Sequence, residues 1–548
     1  METPVSTPVI EVPREEPVPI ELSQYSEALV QCVSSIKPKR RPDDISKLTV
    51  SQTVSFLALT YEKVRNAVEF REEHLIRRAA VDRMLRRRLA LNPEGKGEAE
   101  NLLRELMWAR YFENGMLGES DISTIQKLID LYLDIKKQVL EHVSSSHKAV
   151  LSRFIFDLLT CEIEETLNPA ETARNSCITF FIYQTMRQKI RIEGMEDEQK
   201  DAFFFVALEK AFRKSDLPFQ RYHLFTLYYQ PLSQYSEEER KEIVEKLPAI
   251  AKKIDEMIQN PLIDKLSKFT RKQLPPFLVL SELVKEKPAS LRAIITRKEL
   301  LIQEVNRICK EKYDQTQKRL QTLAFKSLVY IFATKMVLAL ILEYPLSILF
   351  FGEVSWFSIG VNTLFPPTLM MIILMFIKLP GEDNTIRIGQ RLTEIIDNDQ
   401  SFETSVALIT KKPKARGKKR QVVFTVLYSV VFIVVLYLIH EALSILHFNA
   451  ISQAIFIFFV SVISFFAYRI KEVSKEYRLV ERDGFFTPLV DLLFIPVLSL
   501  GKFFSQELAR FNFFIVFFDF IIEAPFKLII EVIEEWISFI RARKEEIV

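Results

Sequence analysis

Apolar positions recur three and four residues apart over most of residues 22–323, and charged positions occupy the faces between them. This period matches the turn of an α-helix and predicts a series of amphipathic helices. The clearest apolar stripe runs through the predicted helix 121–143. Ser236 followed by Glu239 is a capping box, which predicts a helix that starts there and continues to about Gln259. The other predicted helices cover residues 50–91, 98–114, 147–167, 170–190, 197–214 and 219–230, and a last one runs from about 290 past 319.

The pattern changes at Ala324, after which long apolar runs replace the stripes. A helix needs about 20 apolar residues to cross a hydrocarbon layer about 30 Å thick. Four runs approach or exceed that length, and we expect two transmembrane hairpins, 324–377 and 422–468. The four expected spans are 324–351, 357–377, 422–446 and 451–468. The predicted fold class is an all-α integral membrane protein with an N-terminal cytoplasmic helical domain, residues 22–323.

The connections between the runs differ in charge. The short turns 352–356 and 447–450 contain neither Lys nor Arg, whereas the connection 378–421 ends in a dense basic stretch. Because cytoplasmic loops carry the excess of Lys and Arg, we expect the N-terminal domain, this connection and both termini to be cytoplasmic. We also expect the basic stretch to contact anionic lipid headgroups. Its members are Lys411, Lys412, Lys414, Arg416, Lys418, Lys419 and Arg420.

The two ends of the chain are less regular. Residues 1–21 are rich in proline, and we expect a disordered tail. Residues 469–548 are expected to form a cytoplasmic linker and membrane-associated helices, including an amphipathic helix over 529–540 with apolar residues on one face and glutamates on the other. For residues 485–540 the sequence leaves three arrangements open: further spans, a re-entrant pair, or helices on the cytoplasmic leaflet.

Composition favours helices over sheets. The 548 residues include 44 phenylalanines but only 12 glycines, whereas average usage would supply glycine at about 7% of positions. So few glycines disfavour β-sandwiches, barrels and nucleotide-binding loops. Within the four expected spans only Gly360 occurs, which argues against tightly crossed membrane helices. The 74 basic and 71 acidic residues give a net charge of +3, which indicates no specific nucleic-acid partner.

The four cysteines are Cys32, Cys161, Cys177 and Cys309. All of them precede the first apolar run, and no pair has the C-x-x-C spacing of a metal or redox motif. We therefore expect buried free thiols of a reducing cytosol, which behave as small apolar side chains.

Four ionisable residues inside the apolar runs form the candidate intramembrane site. Such groups are costly in hydrocarbon and usually face a bundle interior or a water-filled route. Lys335 and Glu343 are eight residues apart, so we expect that they cannot touch along one helix, and we expect Glu343 to pair with His440 instead. His440 and Glu441 begin a pattern similar to the zinc-binding H-E-x-x-H helix, but Ser444 occupies the position of the second histidine. We predict no metal, no cofactor and no catalytic site.

Charged and histidine residues of the N-terminal helices are expected to be structural. The arginine-rich end of the helix 50–91, Arg86–Arg88, is expected to lie on a solvated face, as are Arg77 and Arg78. His74 and His223 are isolated in the sequence. None of these residues indicates a catalytic function.

The leading functional expectation is a non-enzymatic scaffold or adaptor anchored in the plasma (inner) membrane. Its helical domain would bind a cytoplasmic protein or an envelope component, because most of the polar chain is expected on the cytoplasmic side. The alternative is a transporter or channel that uses Lys335, Glu343, His440 and Glu441. The sequence makes no prediction of the oligomeric state.

Overall fold

A computed structural model shows a mostly helical protein, as the sequence predicts. Several predictions lie outside the residues that it describes: most of the tail 1–21, much of the helix 50–91, nearly all of the stripe 529–540, and Lys412, Lys414 and Arg416 of the basic stretch. The described residues are 19–37, 46–51, 62, 72–141, 143–338, 341, 343–351, 356–375, 377, 379–397, 408–411, 418–479, 487–510, 532, 536 and 540.

Most described helices of the N-terminal region, residues 22–323, agree with the predicted ones to within a few residues. The helix predicted over 98–114 ends earlier, at Trp108, and the one predicted from about 290 is two helices that meet at residues 296–297. The capping box is confirmed: the Ser236 hydroxyl accepts the N–H of Glu239, and the Glu239 carboxylate accepts the N–H of Ser236. The helices are α1 (Gln24–Ser35), α2 (Glu73–Leu91), α3 (Glu98–Trp108), α4 (Glu119–Glu141), α5 (Ser145–Leu167), α6 (Pro169–Arg187), α7 (Asp197–Ala211), α8 (Leu217–Tyr228), α9 (Glu237–Ile258), α10 (Pro261–Gln273), α11 (Pro275–Glu286), α12 (Leu291–Ile295) and α13 (Lys298–Leu338).

Helix α2 carries buried charges where a solvated face was expected. Arg77 pairs with Glu164 of α5 at 2.9 Å, and Arg78 pairs with Asp216 at 2.9 Å. Both arginines are almost completely buried. The prediction was wrong for these residues because α2 packs between α3 and α5, whose acidic side chains point toward it. At the end of α2, Arg87 and Arg88 are partly buried and both pair with Glu105 of α3, whereas Arg86 is exposed, as predicted.

A short parallel strand pair was missing from the all-α prediction. Strand β1 (Ile190–Glu193) pairs with β2 (Leu408–Lys411), with Ile190 opposite Leu408. Since β2 belongs to the connection 378–421, the pair joins that connection to the N-terminal region. It is too small to change the fold class.

Three described helices are long and apolar enough to cross a membrane: α15 (Trp356–Met375), α17 (Lys418–Ile445) and α18 (Ala450–Val473). The first expected span, 324–351, is described in part, and its described residues are not uniformly α-helical. Helix α13 ends at Leu338, Glu343 lies in a π-helical turn, and α14 (Tyr344–Phe351) follows. Pro345 has no N–H to offer the carbonyl of Ile341, which disfavours a regular α-helix at this point.

We call residues 324–548 the apolar half of the protein. Two further helices complete its described part, α16 (Glu382–Ile396) and α19 (Thr487–Arg510). Helix α16 packs on α11 and α13, and its Ile388 and Leu392 are fully buried in the N-terminal core. Asn384 of α16 donates to the carbonyl of Tyr477 at 2.7 Å and accepts the N–H of Leu479 at 2.9 Å. Segments from both sides of the apolar helices α17 and α18 therefore meet on the N-terminal region.

Helices α18 and α19 cross closely, contrary to the expectation of loosely packed apolar helices. A Cβ atom at Gly501 would collide with the carbonyl oxygen of Ser461 and lie 2.7 Å from Cβ of Phe465. Gly501 lies outside the four expected spans, so the scarcity of glycine within them does not bear on this crossing. One glycine opposite a serine is enough to bring these two backbones together.

The expectation of four free thiols was also wrong. Cys32 of α1 and Cys177 of α6 form a disulfide, with their Cα atoms 6.1 Å apart, whereas Cys161 and Cys309 are free and buried. The two bonded cysteines are 145 residues apart, so no spacing motif could have indicated the pair.

Candidate functional site

Lys335 and Glu343 form an ion pair within the apolar half of the protein. Lys335 lies near the end of α13, and Glu343 lies in the turn before α14. Lys335 Nζ donates to Glu343 Oε2 at 3.1 Å, and neither side chain is exposed. The expectation that they cannot touch was wrong because the backbone at Ile341 and Glu343 is π-helical, so the two residues do not lie along one regular α-helix.

Two uncharged residues complete the hydrogen bonding of Glu343. Asn362 of α15 donates from Nδ2 to Oε1 at 2.6 Å, and the hydroxyl of Ser452 of α18 donates to the same oxygen at 2.8 Å. Asn362 and Ser452 are as deeply buried as the ion pair. We call Lys335, Glu343, Asn362 and Ser452 the polar centre. It joins the α13–α14 junction to α15 and α18.

The start of α18 positions Ser452 for this contact. Asn449 caps the helix by accepting the N–H of Ser452 at 2.8 Å, and its amide donates to the hydroxyl of Ser347 of α14 at 3.1 Å. On the other side, Lys335 Nζ lies 4.9 Å from the centroid of the Phe459 ring, close enough for a cation–π contact. The ammonium therefore has a carboxylate and an aromatic face as neighbours.

The polar centre leaves one acceptor unused. Asn362 Oδ1 is buried and has no hydrogen-bond partner among the described residues. Pro366 and Pro367 lie inside α15, so the backbone carbonyls of Asn362 and Thr363 lack the N–H groups that a regular helix would supply. The polar centre thus contains a carboxylate with donors for both oxygens and an amide oxygen without a described partner. Its helix α15 also has two carbonyls that lose their regular helical donors to the prolines.

His440 lies on α17 and hydrogen-bonds Gln453 of α18 rather than Glu343. His440 Nδ1 lies 2.6 Å from Gln453 Oε1, and the Gln453 amide donates to the hydroxyl of Ser444 at 3.2 Å. The expected pairing of Glu343 with His440 was wrong because Asn362 and Ser452 surround the carboxylate. Both His440 and Glu441 are exposed on α17.

Asn362, Ser452 and Gln453 were not among the predicted site residues, since none of them is ionisable. The available signal was weak: each is an uncharged polar residue in an otherwise apolar run. Uncharged polar residues at this depth commonly hydrogen-bond across helices.

The basic stretch is described only in part. The backbone of Lys411 pairs in β2, and Lys418, Lys419 and Arg420 form the first turn of α17. The other three members lie outside the described residues.

A second cluster of charges is buried in the N-terminal region, around His223 of α8. His223 Nδ1 lies 2.7 Å from Glu209, and Nε2 lies 2.9 Å from Glu165. Burial alone would lower the pKa of His223, but the carboxylate charges outweigh it and raise the pKa to about 9. Burial, reinforced by the charges of Arg213 and Arg77, lowers the pKa of the nearby His74 to about 3. Neither histidine is isolated in the fold.

Within the part of the chain that the structure describes, no three His, Cys, Asp or Glu side chains are grouped so as to hold a metal ion. Searches of protein-family models, curated proteins and solved structures found no match to this chain.

Proposed function

We propose that the protein is a non-enzymatic, membrane-anchored scaffold whose N-terminal region binds a cytoplasmic protein or an envelope component. The observation that carries this proposal is the joint core of the two halves. Helix α16 and residues 477–479, which flank the apolar helices α17 and α18, pack on the N-terminal region. Such an arrangement holds a binding domain in a fixed position at a membrane, as a scaffold requires.

The hydrogen bonding of the polar centre supports an anchor. Glu343 accepts from three donors, and the ammonium of Lys335 is fully buried against it. A buried, paired charge of this kind contributes structural specificity when its partners come from several helices. We assign the centre the role of fixing α13, α15 and α18 to one another.

Topology and lipid contact belong to the same proposal. The N-terminal region, the connection 378–421 and the C-terminus lie in the cytoplasm, with the chain in the plasma (inner) membrane, and the basic stretch faces anionic headgroups. Single cysteines at exposed Gln390 of α16 and at exposed Trp356, in the expected outer turn 352–356, test this in intact cells. An impermeant maleimide should label the second position and not the first; the opposite pattern would invert the topology.

Photocrosslinking in intact membranes tests the scaffold. A photoreactive residue at the exposed positions Phe180 or Leu227 should yield a discrete protein adduct. Leu349, which is exposed on α14 in the apolar half, is the matched control and should yield lipid adducts. The scaffold loses its support if both N-terminal positions give no protein adduct while Leu349 reacts.

A transporter or channel is the second candidate, and the spare acceptors of the polar centre favour it. Asn362, whose Oδ1 has no described partner, bonds the carboxylate of the ion pair, and the same helix contains two prolines. Interrupted helices with free carbonyls line ion sites in transporters. Ion or solute flux into proteoliposomes that Glu343→Gln abolishes would support transport. Flux that this variant leaves unchanged would remove Glu343 from the path.

A further inference from the structure

The disulfide joins an exposed helix to the body of the N-terminal region. Cys32 is exposed on α1, near its C-terminal end, whereas Cys177 is 6% exposed on α6. A thiol in solution can therefore reach the Cys32 sulfur more easily than the Cys177 sulfur.

Helix α1 contacts both α16 and α6. At one end, the N–H of Ser23 and the hydroxyl of Ser26 both donate to the carbonyl of Ile396, the last residue of α16, at 2.9 and 3.1 Å. At the other end, the disulfide fixes α1 to α6. Between them α1 buries the apolar side chains of Leu29 and Val33. Because α16 lies in the connection between apolar helices, α1 links the N-terminal body to that connection.

We propose that the Cys32–Cys177 disulfide is a modification site for low-molecular-weight thiols, and that its reduction releases α1 from α6. A thiolate attacks Cys32 Sγ, the sulfur–sulfur bond breaks, and the departing Cys177 thiolate takes up a proton. A second thiolate attacks the external sulfur of the mixed disulfide. Cys32 then leaves as a thiolate and takes up a proton. Two thiols supply the two electrons and become one low-molecular-weight disulfide.

The fold makes this bond important for α1. The helix has 12 residues, and isolated helices of that length are marginal in water. Without the covalent link, α1 depends on the burial of Leu29, Val30 and Val33, on its bonds to Ile396 and on the ion pair of Glu27 with Arg292. The cytoplasmic placement in the proposed function would expose the bond to cellular thiols, which reduce accessible disulfides. We call this covalent attachment of α1 to α6 the tether, and it can be tested independently of any partner.

Hydrogen exchange on the full-length protein in lipid nanodiscs tests the tether, with dithiothreitol as the thiol probe. Mass spectrometry of alkylated peptides should show Cys32 and Cys177 bonded before treatment and free after it. Exchange in residues 20–36 should then rise at least tenfold, while α5 stays protected. Cys32→Ser should exchange at the fast rate with or without dithiothreitol. Gln31→Ala, an exposed change on the same helix, should behave as the unaltered protein.

Three outcomes would overturn the proposal. The first is alkylation of both cysteines in protein purified and kept in air without thiols, which would mean that no disulfide forms. The second is a bond that resists dithiothreitol in the folded protein. The third is reduction without faster exchange in residues 20–36. None of these readouts depends on scaffold activity, so failure of the tether and failure of the scaffold are distinguishable.

Discussion

A carboxylate buried among apolar helices needs a donor for each oxygen, and Glu343 has donors for both. Lys335 serves Oε2, while Asn362 and Ser452 serve Oε1. Removing one charge of such a pair leaves the other buried without compensation, which costs more than the pair contributes. The individual residues of the polar centre are therefore interdependent.

Single and double variants should reveal this interdependence. We expect Lys335→Met to lower the free energy of unfolding by about 3–5 kcal/mol, because it leaves the Glu343 carboxylate without its counter-charge. The double variant Lys335→Met, Glu343→Leu should recover most of that loss. Equilibrium unfolding in detergent micelles measures both. Glu441→Gln, an exposed change on α17, should stay within about 0.5 kcal/mol. Additive losses in the double variant would contradict the pairing.

His223 should make stability depend on pH. Its pKa is about 9 in the folded protein against 6.5 for the free side chain, so between these values the folded state binds more protons than the unfolded state. The contribution is fully present below pH 6.5 and is lost as the pH rises through 9. Chemical unfolding at pH 6.5 and 9.5 should show this loss.

The control for this effect removes the ionisable ring. His223→Gln should be less stable at pH 6.5 and should lose less stability between pH 6.5 and 9.5. His147→Gln, an exposed change, should keep the pH dependence. An equal pH dependence in His223→Gln would mean that other groups cause it.

Among the elements, the crossing of α18 and α19 depends on a single glycine. The space for a side chain at Gly501 is occupied by the backbone of Ser461, which cannot move as a side chain tip would. At Gly360 of α15, by contrast, a Cβ atom would meet nothing within 4 Å. The two glycines provide a matched comparison in two apolar helices.

We expect Gly501→Ala to destabilise the protein by about 1–3 kcal/mol, because the added Cβ atom forces α18 and α19 apart. Gly360→Ala should be neutral or should stabilise by up to about 1 kcal/mol, since alanine favours the helix and finds open space. Thermal unfolding in nanodiscs measures both changes. Equal effects of the two substitutions would show that α18 and α19 do not cross here.

At the scale of the whole molecule, Asn384 connects three segments distant in sequence. Its side chain bonds Tyr313 of α13 at 2.9 Å as well as the backbone of Tyr477 and Leu479. These bonds fasten the chain before and after α17 and α18 onto the N-terminal region. The fixed relation between the two halves depends on such contacts.

Asn384→Ala should loosen this connection. A buried polar group that loses its partner costs about 1–3 kcal/mol, and here the backbone groups of Tyr477 and Leu479 lose theirs. Hydrogen exchange in residues 474–479 should therefore increase, while α5 should be unaffected. Gln390→Ala, an exposed change on α16, is the control. Unchanged exchange would show that other contacts hold the segment.

Much of the architecture follows from local patterns in the sequence. The stripe of Ile125, Leu128 and Tyr132 indicates a helix because side chains three and four apart share a face, and that helix is present as α4. The capping box at Ser236 and the apolar runs that became α15, α17 and α18 are equally local signals. Each depends on neighbours within about five turns of a helix.

The contacts that define the candidate site depend on packing between distant segments. Glu343 meets Asn362 and Ser452 because three helices converge, and Cys32 meets Cys177 across 145 residues. Periodicity reports which face of a helix is apolar, but it carries no information about which other helix covers that face. The ion pairs, the disulfide and the close crossing at Gly501 depend on which helices pack against one another. They are therefore decided by the tertiary structure.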